Sequence, residues 1–242
     1  MTAVEEVGAR APRARSEGAT PQHRGAHVRA AFCIGIVGVA VLAAGFVALG
    51  YAIRGPLDGV RSWDATVSRW FFAQRTSRGN LLSAIGTWLA ETPVVVVVGI
   101  AVSVFLAVRR RFHDVALLVG ALLAEFVTYL IVVYAVDRPR PAHQLEHRFT
   151  GSYPSGHVAA AIALYSVLAY LVARRVRSAS ARVLLFGVPV VVAVIVATSR
   201  LYREMHHFSD VVAGALIGVG ALIVASLAAS HVPDAGGKGR QS

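Results

Sequence analysis

The sequence predicts an all-α protein: a bundle of six transmembrane helices with both termini cytoplasmic. Two observations set the class and a third sets the orientation. Of the 242 residues, 56% are hydrophobic and only 15% charged, with a mean hydropathy of +0.61, less charge than a soluble domain of this size normally carries. The apolar residues are gathered into blocks at 30–53, 92–108, 115–136 (interrupted by Glu125), 158–173, 183–199 and 211–230. A bilayer core takes about 20 mostly apolar residues per helix, which some blocks supply alone and others with a flanking turn. Arginines crowd the short segments between alternate blocks, and the positive-inside rule makes that side cytoplasmic.

The first element is an arm, residues 1–28, rich in Ala, Arg, Gly and Pro and without periodicity; it is expected to be a disordered basic leader. The block behind it is too long for the apolar region of a signal peptide, usually about 7–15 residues. It is read as an uncleaved first helix. The connection 54–91 contains "VRSWDATVSRWFFAQRT", whose Trp63, Trp70, Phe71 and Phe72 suggest a short helix at the lipid headgroup level. Glu125 interrupts the third block. A carboxyl at that depth is costly and is usually paired within the bundle, so a structural hydrogen bond and a functional role both stand open. The bundle spans 29–231, and the tail 232–242, "VPDAGGKGRQS", is again expected to be disordered.

Formal charge is +11, and every basic residue except Lys238 is arginine. In a chain this apolar, the excess reports orientation and headgroup contact rather than nucleic acid. The segments 109–114 (RRRFHD) and 174–182 (RRVRSASAR) hold seven arginines, and with the leader and tail one face carries 14 of the 24 basic residues. The single cysteine, Cys33, offers no disulfide framework.

Three polar clusters fall on the opposite, outer side: "VDRPRPAH" (136–143), "GSYPSGHVAAA" (151–161) and "SRLYREMHHFSD" (199–210). The topology rests on hydropathy and arginine counts alone, so it was free to scatter them. Arg140 and Arg200 are forked donors suited to phosphate oxygens. Pro154–Ser155–Gly156 runs into a helix whose first N–H groups and positive dipole end favour an anion. Ser155 can cap that helix or bond the anion. His157 and His206 could act as nucleophile and general acid between them, and Asp210, four residues or one helical turn after His206, could hold its imidazole in one tautomer. Together they describe a site for phosphoryl transfer. No ligand set for a metal stands out, and no cofactor is expected.

These residues resemble the type-2 phosphatidic acid phosphatase superfamily of membrane lipid phosphatases. Its Pro-Ser-Gly-His motif is complete at Pro154, Ser155, Gly156 and His157. Its Ser-Arg-x5-His-x3-Asp motif is complete at Ser199, Arg200, His206 and Asp210, and the spacing selects His206 over His207. Its Lys-x6-Arg-Pro motif is incomplete: Arg140–Pro141 fits, but Val133 stands where the lysine belongs, and Arg138 is the candidate to supply that charge. The resemblance implies a metal-independent phosphatase acting on a lipid phosphate or diphosphate at the outer face of the cell membrane. His206 would form a phosphohistidine oriented by Asp210, and His157 would protonate the leaving group. Arg140, Arg200, Arg138, Ser155 and Gly156 would hold the phosphate. Two other readings remain at this point. A phosphotransferase would replace water by another hydroxyl, and a non-catalytic lipid transporter would account for Glu125 and the missing lysine.

Overall fold

The computed structural model describes residues 21–147 and 149–232. Among these, all regular structure is helical: α1 (Pro21–Arg54), α2 (Asp58–Ala73), α3 (Ser77–Trp88), α4 (Thr92–Val108), α5 (Phe112–Val136), α6 (Gly156–Ala173), α7 (Ala179–Tyr202) and α8 (Phe208–Ala229). Six segments are long and apolar enough to cross a membrane: α1, the α3–α4 pair, α5, α6, α7 and α8. The chain is a multi-pass membrane protein.

Two boundaries differ from the sequence reading. Helix α1 begins at Pro21, so residues 21–28 of the expected disordered leader are helical; residues 1–20 and the tail 233–242 lie outside the described residues. Proline is preorganised for a first helical turn, and an established apolar helix propagates outward through Ala, Arg and His at little cost. The second span begins at Ser77 rather than Thr92. Helix α3 turns Leu81, Leu82, Ile85 and Trp88 outward and buries Ser83, Gly86 and Thr87. That inverted pattern, polar toward the bundle, hides a span from a hydropathy count. Helix α2 does the same, exposing Trp63, Trp70 and Phe72 while burying Asp64.

Helices α5, α6 and α8 form the centre. Leu117, Leu118 and Ala121 of α5 pack with Leu164, Val167 and Leu171 of α6 and Ala225 and Ala229 of α8 in one buried cluster. The α6–α8 approach depends on glycine. A Cβ at Gly214 would lie 2.3 Å from the Ser155 carbonyl oxygen, and one at Gly218 would lie 2.8 Å from that of Ala159. Small residues one turn apart let two backbones meet in this way inside a membrane. At the other end of α5, Asp137 takes a left-handed conformation (φ 41°) and stops the helix, turning the chain into Arg138–Pro141. The end of α5, the start of α6, the end of α7 and the start of α8 therefore share one end of the bundle.

Candidate active site

That shared end carries all three polar clusters. A cavity of about 330 Å³ opens there, lined by Arg140, Thr150, Gly156, His157, Arg200 and His206 at its polar end. It continues between α4, α5 and α6 along Val95, Val96, Leu122, Leu123, Phe126 and Ala160. Val96, Leu123 and Phe126 are also exposed on the bundle surface, so the apolar end meets the side of the bundle that lipid would cover.

His206 lies in the short α7–α8 turn and is buried. Its Nδ1 sits 2.6 Å from the carbonyl oxygen of Ser152. A carbonyl only accepts hydrogen bonds, so Nδ1 carries the proton and Nε2 keeps its lone pair. Burial holds the imidazole pKa well below its ordinary value, reinforced by the charges of Arg200 and Arg140 and by His157, against the opposing pull of the Ser152 carbonyl. The ring is therefore neutral, as a nitrogen nucleophile must be.

The two arginines are fixed by backbone and by α3. Arg140 donates to Thr150 O at 3.0 Å and Gly151 O at 2.9 Å, and also to Met205 O. It ties all three outer clusters together. Arg200 is fully enclosed and donates through Nη1 to Thr87 Oγ1 at 2.9 Å. Gly156 opens α6 against the Tyr129 ring, where an added Cβ would lie 3.0 Å from the nearest ring carbon. The first-turn N–H groups of α6 lack intrahelical acceptors and stand at the cavity wall. His157, next in line, has its Nε2 3.1 Å from Glu91 Oε1, a carboxylate at the start of α4.

Two expectations need correction. Asp210 does not touch His206: its carboxylate accepts from Arg138 Nη1 at 2.6 Å and from the His207 amide at 2.8 Å. The helix begins at Phe208, so His206 precedes it, and the one-turn relationship assumed between the two positions does not exist. Arg138 does not face the cavity. Its other arm donates to Asp64 Oδ2 at 2.8 Å, so both ends of the guanidinium are spent on carboxylates. Burial disfavours its charge, but Asp210 and Asp64 outweigh that and raise its pKa. It cannot replace the missing lysine, and Val133 is itself buried in α5. Ser155 occupies the N-cap of α6 without a side-chain cap bond; its hydroxyl is buried without a partner, while its amide donates to Asp210 O at 2.9 Å.

The sequence reading missed Glu91, Asp64 and Ser152. Ser152 acts through its carbonyl, which no side-chain pattern can reveal. Asp64 and Glu91 lie in the 54–91 connection, far in sequence from the residues they meet. A carboxylate amid the aromatics of α2 was the one available signal.

Residues 114–232 match the family model described as the PAP2 superfamily. They belong to it. The matched stretch runs from α5 to the end of α8 and contains both complete motifs. Phosphatidylglycerophosphatase B of Bacillus subtilis (strain 168) is 26% identical over 129 residues, 52% of this chain and 62% of that protein. The probable lipid phosphate phosphatase 4 of Arabidopsis thaliana is 32% identical over 85 residues, 33% of this chain and 27% of that protein. The chain thus spans less than two thirds of these curated relatives. Among solved structures, the transmembrane PAP2-type phosphatidylglycerolphosphate phosphatase from Bacillus subtilis superposes with a TM-score of 0.68 at 23% identity, covering 77% of this chain and 93% of that one. Aquifex aeolicus LpxE gives a TM-score of 0.54 at 23% identity, over 66% and 93%. The likeness in fold extends over 77% of this chain.

Proposed function

We propose that this chain is a lipid phosphate phosphatase working through a phosphohistidine on His206. One observation carries the reading: the Ser152 carbonyl fixes the Nδ1–H tautomer of His206 in a cavity also lined by Arg140, Arg200, Gly156 and His157. Nε2 attacks phosphorus as the bond from phosphorus to the lipid oxygen breaks, and His157 gives that oxygen its proton. Water then attacks the phosphohistidine, loses a proton to His157, and phosphate departs with Nε2 restored. Arg140, Arg200, the first N–H groups of α6 and the Ser155 hydroxyl offset the charge on the equatorial oxygens. Asp210 acts at one remove, holding Arg138 and the start of α8.

The substrate is an amphiphile. Its phosphate meets the polar end of the cavity while its tail follows Val95, Leu122 and Phe126 toward lipid. The arginine-rich 109–114 and 174–182 segments lie at the opposite end of the helices, which supports an extracytoplasmic site with both termini inside. The test is phosphate release from a panel of lipid phosphates by detergent-purified protein, with and without chelator. Wild type is expected to turn over at least one substrate regardless of chelator, and His206→Ala none. Full activity in His206→Ala would reject the mechanism.

A further inference from the structure

The deeper wall of the cavity holds a group that the mechanism does not use. Glu125 is 4% exposed and lines the same cavity as His157 and His206. Among the described residues it has neither a hydrogen bond nor an ion pair. It sits on α5 one turn before Tyr129, the residue against which Gly156 packs. Because α5 rises to the site and α6 descends from it, Glu125 stands level with Ala160, which lines the cavity too. One turn advances about 5.4 Å along a helix, so the carboxyl lies roughly that far below the phosphate cradle. Its neighbours there are Leu122, Leu123 and Phe126.

A buried carboxyl without a partner is expensive in such surroundings, and a ligand can supply the partner. We propose that Glu125 is a specificity residue that hydrogen-bonds the ester linkage of an acyl glycerolipid phosphate, selecting it over a polyprenyl phosphate. In an ester-linked glycerolipid, a P–O–C–C–O path joins phosphorus to the acyl ester, about 5 Å from end to end at ordinary bond lengths. That reach matches the offset between the phosphate cradle and Glu125. In its protonated form a carboxyl donates one hydrogen bond, which is what an ester carbonyl accepts. A polyprenyl tail presents only hydrocarbon at that depth and leaves Glu125 unpaired. A site built around a hydrogen bond discriminates strongly against a ligand lacking the matching group.

The proposal rests on the phosphatase reading, and its test separates the two. Purified protein is assayed on three substrates: a diacylglycerol phosphate, its dialkyl ether analogue without carbonyls, and a polyprenyl phosphate. No hydrolysis of any of them would defeat the phosphatase reading itself. With activity present, wild type should show kcat/KM about tenfold or more lower for the ether than for the ester, an arm that needs no variant. Equal handling of ester and ether overturns the role of Glu125. In Glu125→Leu the ester-to-polyprenyl ratio should fall by about tenfold, partly through a gain on the polyprenyl substrate. Glu125→Gln keeps a donor and should hold the ratio within about twofold of wild type. An unchanged ratio in a folded Glu125→Leu protein also overturns the proposal.

Discussion

Arg138 Nη1 lies 2.6 Å from the Asp210 carboxylate while Nη2 of the same guanidinium lies 2.8 Å from Asp64. The acid of the Ser-Arg-x5-His-x3-Asp motif is thus the buried partner of an arginine within the Lys-x6-Arg-Pro stretch, and α2 is pinned across both. Ser209 strengthens the joint, its amide and hydroxyl donating to Asp64 at 2.8 and 2.5 Å. All three charged side chains are buried. Removing one partner of such a set leaves an uncompensated charge, a loss of about 3–5 kcal/mol. Arg138→Ala and Asp64→Ala are therefore expected to unfold at clearly lower temperature in detergent. Lysine at 138 should rescue little, since one ammonium cannot reproduce a fork held at both arms. A Tm unchanged in Asp64→Ala would show that α2 is not fastened by this network.

Glu91 meets His157 at 3.1 Å, and under the proposed mechanism it positions the proton donor. Glu91→Gln should lower kcat on a lipid phosphate by about 10–100-fold, a part of the roughly 100–10,000-fold that a positioned general acid supplies, with KM changed by little. An aryl phosphate whose leaving group departs without a proton should be spared most of this loss. Equal losses on both substrates would assign Glu91 a structural role instead.

His206 is buried neutral, with its pKa held well below the ordinary value. Unfolded chain takes up a proton at that imidazole as pH falls through about 6.5, and folded chain does not. The unfolded state then binds more protons, so stability falls with decreasing pH below about 6.5, by at most about 1.4 kcal/mol per pH unit from this one group. Above that pH the contribution is complete. Unfolding temperatures measured from pH 7.5 to 5 should drop less in His206→Asn than in wild type. Parallel curves would mean that His206 is protonated in the fold.

Gly214 sets the distance between α8 and the Pro-Ser-Gly-His segment, since a methyl there would meet the Ser155 carbonyl oxygen at 2.3 Å. Gly214→Ala is expected to cost about 1–3 kcal/mol of stability, the scale of overpacking, and to lower kcat by displacing the start of α6. Gly187 has nothing within 4 Å of an added Cβ, so Gly187→Ala should stabilise slightly through helix propensity. Opposite shifts in unfolding temperature for the two alanines are the outcome to look for; equal shifts would remove the close-contact explanation.

Much of this protein was legible in its residue order. Six apolar segments need no partner to declare themselves, because the bilayer reads each helix separately by length and hydropathy. Motif spacing likewise singled out His157, Arg140, Arg200, Gly156 and His206, which the fold brings to one cavity. The reading faltered where polarity faces inward. Ser83, Gly86 and Thr87 made α3 look like part of a loop, although those residues line its contact with α7, where Thr87 holds Arg200.

Sequence by itself determined the helical class and the number of spans, and it named Arg140, Gly156, His157, Arg200 and His206, which line the cavity's polar end. Tertiary structure alone decided how those side chains are held. A backbone carbonyl at Ser152, rather than Asp210, sets the tautomer of His206. Arg138 neutralises Asp64 and Asp210 rather than a phosphate, and Glu125 faces the cavity instead of a neighbouring helix. The physical reason is common to all three. Hydropathy and motif spacing are properties of one segment, whereas a hydrogen bond or an ion pair belongs to two segments and exists only once packing has fixed the distance between them.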